Sequence, residues 1–167
     1  QAAISYAETG HLCLSTLHAN NANQTLDRIV NFFPETAHHQ LFVDLSLNLK
    51  AVVSQRLLKG LRRKRVPAVE ILLNTAYVAD LIAKGEIAQV REAMKHGAEQ
   101  GMQTFDESLY QLYARGRIDY REALEHADSR TDLSLRIRLQ GPQPGLSNHG
   151  SGAGSMELEG MTPPQSH

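Results

Sequence analysis

Two β-prone runs, "VVSQRLL" (52–58) and "VPAVEILL" (66–73), flank the seven-residue basic connection "KGLRRKR" (59–65). A parallel pairing would need a crossover on the order of a dozen residues or more, so two runs this close pair as an antiparallel hairpin. Much of the rest of the chain carries helical periodicity, so the hairpin fixes where the helices must pack.

Upstream, "HLCLSTL" (11–17) is a continuous apolar run of strand length. It predicts a strand buried on both faces of a parallel sheet. The polar cluster "ANNANQ" after it suits a turn and a helix cap. Leu26, Ile29, Val30 and Phe33 then fall on one helix face, which Pro34 ends. Leu41, Leu45, Leu49 and Val52 repeat that spacing in a helix from about Glu35.

Beyond the hairpin the pattern is helical. Thr75 is a predicted N-cap, with Val78, Leu81 and Ile82 as an apolar stripe. Ile87, Val90 and Met94 mark the next helix, closed by Gly97. Thr104 with Glu107, and Asp119 with Glu122, form two capping boxes. A last short helix covers Asp132 to Leu139. From Gln140 the composition changes: the final segment holds six of the 12 glycines and four of the six prolines. Such a segment cannot bury enough apolar surface to offset chain entropy, so 140–167 is expected to be a disordered tail.

The expected fold is α/β. Residues 1–74 form a βα unit and a hairpin, and residues 75–139 a helical subdomain. Lys+Arg 17 against Asp+Glu 18 gives a net charge of −1, which provides no global field for nucleic acid or anionic lipid. The basic run Lys59, Arg62, Arg63, Lys64 and Arg65 lacks interleaved aromatics and suits a solvated hairpin tip. The single Cys13 allows no internal disulfide and fits a reduced cytosolic compartment. No run approaches the roughly 18 apolar residues of a membrane span. The start at Gln1 rather than Met, inside a helical pattern, reads as a fragment.

Two histidines bracket the apolar run. His18 stands at its C-terminal end, where α/β folds place ligands, and an imidazole there can donate to a phosphate. His11 stands at the other end, roughly 20 Å away along a straight strand, too far to share a metal ion. The plainer reading is that both cap strand ends, and spacing alone favours it. His38 and His39 are adjacent on a helix, do not face one another and read as solvated. There is no HxxxH or CxxC pattern, so no metal site is expected. No GxxxxGK[ST] phosphate loop occurs, so the chain alone shows no complete active site.

The segments "AETGHLCLSTLHANNANQTLDRIVNFFP", "LKAVVSQRLL", "AVEILLNT" and "GMQTFDESLYQLYARGRI" resemble the C-terminal part of the type IV pilus retraction ATPase family (PilT/PilU), and the PilU-type branch most. The resemblance covers Gln1 to about Leu139. It implies the C-terminal part of a RecA-like P-loop ATPase core followed by a helical subdomain. It also implies a homo-hexameric motor that couples ATP hydrolysis, with Mg2+, to pilus retraction and twitching motility. The implied partners are a second retraction ATPase and the inner-membrane platform protein, with no nucleic acid. The implied location is cytoplasmic, peripheral at the inner membrane. His11 and His18 match the family's histidine box, which implies that His18 lies near the γ-phosphate and that His11 holds or transmits that geometry. ATP and Mg2+ are implied to be bound mainly by residues upstream, so the fragment alone should be inactive.

One motif departs from the family. Where it carries "AIRNLIRE", this chain has "YVADLIAK" (77–84), with Ala79 and Ala83 in place of both arginines and Lys84 in place of the glutamate. That change fits an accessory motor. The alternatives are a secretion or pilus assembly ATPase of the same superfamily, which usually carries a tetracysteine zinc module, and a non-catalytic module that pairs with an intact motor.

Overall fold

The structure is a computed structural model and describes residues 2–61 and 64–141. The element order is α1 (Ala2–Glu8), α2 (Ala22–Asn31), α3 (His38–Asn48), β1 (Ala51–Lys59), β2 (Arg65–Leu73), α4 (Ala76–Ala83), α5 (Ile87–His96), α6 (Phe105–Ala114), α7 (Tyr120–Glu125) and α8 (Arg130–Gln140). Short 3-10 turns cover Glu35–Ala37 and Ala98–Gln100.

The hairpin forms as expected, in a register from Ala51 opposite Leu73 to Lys59 opposite Arg65. Its period of two turns Val52, Ser54 and Leu58 inward from β1, and Val66, Ala68, Glu70 and Leu72 inward from β2. The two ends of that face serve different cores. Val52 and Leu72 join Leu26, Leu41, Leu45, Val78, Ile82, Val90 and Met94. Leu58, Val66 and Ala68 join Phe105, Leu109, Ile118, Leu133 and Ile137. The hairpin is therefore the spine shared by an N-terminal and a C-terminal packing unit. Gln103 lines the outer edge of β2, exchanging backbone hydrogen bonds with Ile71 at 2.8 and 3.0 Å.

Capping follows the sequence, with one difference. Thr104 Oγ1 accepts from the Glu107 amide at 3.2 Å, and Asp119 Oδ1 accepts from the Glu122 amide at 2.7 Å. The return half of each box is absent. The Glu107 carboxylate instead accepts from Gln111 and Arg136, and Glu122 Oε1 accepts from the Lys59 amide at 2.7 Å. Tertiary partners on α8 and β1 win over the local bond.

Two expectations are corrected. Residues 11–17 do not form a parallel strand: they carry no regular secondary structure, and Leu12 and Leu14 are 79% and 89% exposed. A buried parallel strand takes its hydrogen bonds from strands on either side. The only strands among the described residues, β1 and β2, pair with each other. The second correction concerns Val52, which lies in β1 rather than on the helix with Leu41 and Leu45. That helix stops at Asn48, because Leu49 turns extended at φ −60° and ψ 135°. The Asn74 amide fixes this end by donating to the carbonyls of Ser46 and Leu49 at 2.8 and 2.9 Å. The expected disordered tail lies outside the described residues from 142 on; of its first two residues, Gln140 closes α8 and Gly141 is the C-cap.

The turn end of the hairpin gives a packing prediction. A Cβ at Gly60 would lie 2.6 Å from the Lys64 carbonyl oxygen and 2.7 Å from a Val66 methyl. The first of these is backbone, so Gly60→Ala should lower stability by about 1–3 kcal/mol. Urea unfolding of the two proteins checks this, and an unchanged midpoint would contradict it.

Candidate functional site: the histidine loop and its anchors

His11 follows the end of α1 and is exposed. Its Nδ1 lies 3.0 Å from Thr9 Oγ1, whose own proton goes to the Tyr6 carbonyl at 2.8 Å. A hydroxyl has one proton to give, so His11 donates from Nδ1 and leaves Nε2 as the free ring position. The Tyr6 ring stands edge-on to His11, 6.0 Å between centroids. His18 is also exposed, three residues before Asn21, the N-cap of α2. Asn21 Oδ1 accepts from the Gln24 amide at 2.9 Å. Of the paired histidines from the sequence, His38 takes a structural role. Its Nε2 lies 2.9 Å from the Phe33 carbonyl and its ring packs edge-on against Phe42.

The loop that leaves His18 is anchored from below by a partly buried polar cluster. Glu70, 4% exposed, points from the inward face of β2 and accepts from the Ala22 amide at 2.8 Å. Arg56, from β1, donates to the Asn20 carbonyl at 3.3 Å and to the His126 carbonyl at 2.8 Å. The Arg56 guanidinium also pairs with Asp128 at 2.8 Å and lies 3.8 Å over the Phe105 ring. Arg91 bridges Asp128 and Asp106 at 3.4 and 3.6 Å, and Asp106 accepts from the amides of Asp128 and Ser129. In the register, Ser54 opposes Glu70 and Arg56 opposes Ala68, so the cluster fills the seam between the two cores.

Burial raises the carboxyl pKa of Glu70; the Asp128 charge adds to this, and the Ala22 amide and Arg56 partly oppose it. Burial likewise raises Asp106, against the amides of Asp128 and Ser129. For Glu107 burial pushes upward too, but the Arg136 and Gln111 hydrogen bonds and the Arg136 charge leave it lowered. A raised carboxyl holds its proton more tightly folded than unfolded. Glu70 therefore favours folding at low pH and loses that contribution as pH climbs from its ordinary 4.5 through the raised value. Glu70→Gln can still accept from Ala22 but cannot ionise. Its stability should fall less than that of the native chain between pH 4.5 and 7, as urea titrations at several pH values would show. Parallel curves would contradict this.

The inward charges were readable but missed in the sequence. Val52, Ser54, Arg56 and Leu58 share one phase of β1, and Val66, Ala68, Glu70 and Leu72 one phase of β2. A charge on the apolar phase of a strand signals a partner supplied from elsewhere in the fold, here Asp128 for Arg56 and the Ala22 amide for Glu70. On α4 the Thr75 cap and the buried stripe Val78, Leu81 and Ile82 are as expected, and Asp80 pairs with Lys84 at 2.6 Å. Ala79 and Ala83 are half-buried.

Residues 1–133 match the type II/IV secretion system protein family. The chain belongs to that family. It is 58% identical over 140 residues to the type IV pilus ATPase PilU of Pseudomonas aeruginosa, covering 82% of this chain and 36% of that protein. To the pilus retraction ATPase PilT of the same organism it is 40% identical over 125 residues, covering 75% of this chain and 36% of the relative. A crystal structure of the pilus retraction motor PilT with bound ADP superposes with a TM-score of 0.71 at 36% identity, over 80% of this chain and 37% of that one. The Legionella pneumophila ATPase DotB shares the fold at a TM-score of 0.63 and 24% identity, over 73% of this chain and 33% of its own. The chain spans about a third of the length of the curated relatives it matches.

Proposed function

We propose that this chain is the C-terminal part of a hexameric motor that couples ATP hydrolysis to type IV pilus retraction. The observation that carries the reading is the match to PilU and PilT over most of this chain, together with the family match over residues 1–133. In the assembled motor the 11–17 run gains neighbouring strands and His18 stands at a strand end facing the nucleotide. Its exposed imidazole there donates to a terminal phosphate oxygen of ATP, and His11 supports the loop through Thr9. ATP supplies the phosphoryl group whose hydrolysis drives the motor.

Mg2+ is usually held by one or two carboxylates together with the nucleotide phosphates, and those carboxylates are assigned to the part of the motor outside these segments. The main phosphate-binding groups likewise belong to the part of the motor outside these segments. The working location is the cytoplasmic face of the inner membrane, beside the pilus platform protein. Among the described residues no helix is long and apolar enough to cross a membrane. Ala79 and Ala83 remove a charged patch while keeping helix propensity, which supports an accessory motor that leans on a partner retraction ATPase under load.

The test is steady-state ATP turnover by the protein at full family length. His18→Ala should lower kcat by about a hundred- to a thousandfold, the scale of losing one donor to a developing charge, while circular dichroism stays native. An unchanged kcat would contradict the reading.

A further inference from the structure

We infer that Arg56 is a positioning residue that clamps the backbone just after His18 to the 126–129 loop of the C-terminal helical unit, so that the setting of His18 depends on where that unit sits. The inference rests on the proposed role of His18. Its support is the geometry of one guanidinium. Arg56 reaches the Asn20 carbonyl at 3.3 Å on one side, and the His126 carbonyl and Asp128 carboxylate at 2.8 Å on the other. The Phe105 ring beneath, 0% exposed, leaves it little freedom to choose other partners. Two residues along from Asn20, Glu70 holds the Ala22 amide at 2.8 Å. The peptide groups on either side of the Asn21 cap are thus both tied to the hairpin spine.

The far side is equally fixed. Asp128 is shared between Arg56 and Arg91, and the amides of Asp128 and Ser129 are held by Asp106 on α6. A shift of the helical unit therefore pulls on Arg56 through Asp128 and the His126 carbonyl, and Arg56 passes it to the Asn20 carbonyl. A lysine in its place keeps the charge but has no planar fork to hold both sides at once. Arg136 stands outside this chain of contacts: it pairs with Glu107 and covers the Tyr110 ring.

The experiment compares ATP turnover by the full-length protein and its Arg56→Lys, Asp128→Asn, His18→Ala and Arg136→Gln variants, with the Arg56→Lys/His18→Ala double variant. Misplacing a reacting group costs rate rather than substrate affinity. Arg56→Lys and Asp128→Asn should therefore each lower kcat about tenfold with KM within about twofold. Arg136→Gln should leave both constants unchanged. Since Arg56 acts through His18, the double variant should be no slower than His18→Ala alone, within about twofold. Native kcat in Arg56→Lys or Asp128→Asn, or a double variant slower by the product of the two single effects, overturns the inference. If Arg56→Lys does not fold, Asp128→Asn decides, because it removes only the charge that holds Arg56 on the far side and leaves the Arg56 hydrogen bond to Asn20 in place. A native kcat in His18→Ala removes the functional reading and this inference together. A slow His18→Ala with native Arg56→Lys removes this inference alone.

Discussion

Phe105→Ala should lower the unfolding free energy of the chain by about 3–5 kcal/mol, the usual cost of emptying a well-packed aromatic site. Phe105 opens α6 directly after the Thr104 cap and is 0% exposed. It packs with Leu58, Val66, Leu109 and Leu133 in the second core and forms the floor beneath the Arg56 guanidinium. Truncation removes both supports: it opens a cavity among aliphatic side chains that cannot collapse onto a β-hairpin, and it frees Arg56 to leave the seam. Urea unfolding followed by circular dichroism measures the effect, with an unchanged m-value marking a loss of stability rather than of compactness. A loss under 1 kcal/mol, well below that range, would show that Phe105 is not packed in the second core as described.

The second large effect is an absence of turnover. The 167-residue chain alone is expected to hydrolyse no ATP above a buffer blank. Phosphoryl transfer depends on a phosphate cradle, a metal ion and a group that orients the attacking water. The sequence has no GxxxxGK[ST] loop to form that cradle. His18 alone offers one donor on an exposed loop. A phosphate-release assay at high protein concentration measures this. Turnover that persists through repurification would contradict the division of labour proposed for the motor.

How much of this was legible in the sequence depends on where each segment finds its partners. The hairpin and the helices from Thr75 onward were readable because their partners lie nearby in the chain. β1 pairs with β2 across a short connection, and Thr75, Thr104 and Asp119 each cap an amide three residues on. The run 11–17 was misread as a formed strand because its apolar pattern describes a buried environment, which the described residues do not supply. Val52 was read both into the helix and into the first β-run, because it continues the helical spacing by chance; the extended Leu49 leaves it in β1. At the site, His11 and His18 came from resemblance, since two exposed histidines carry no decisive local signal. The Arg56, Glu70 and Asp128 cluster has no motif spacing, because its members are 14 and 58 residues apart and meet only once the hairpin closes on the α7–α8 loop. The apolar phase of each strand, read with its charged exception, was the one available clue.

The central claim is that this chain supplies the nucleotide-facing histidine loop of a pilus retraction motor. Its most direct test is to follow labelled pili in cells whose full-length protein carries His18→Ala at the native locus. The account predicts that retraction against load fails while the protein accumulates to its normal level. Retraction of unchanged frequency and speed in that strain would contradict it.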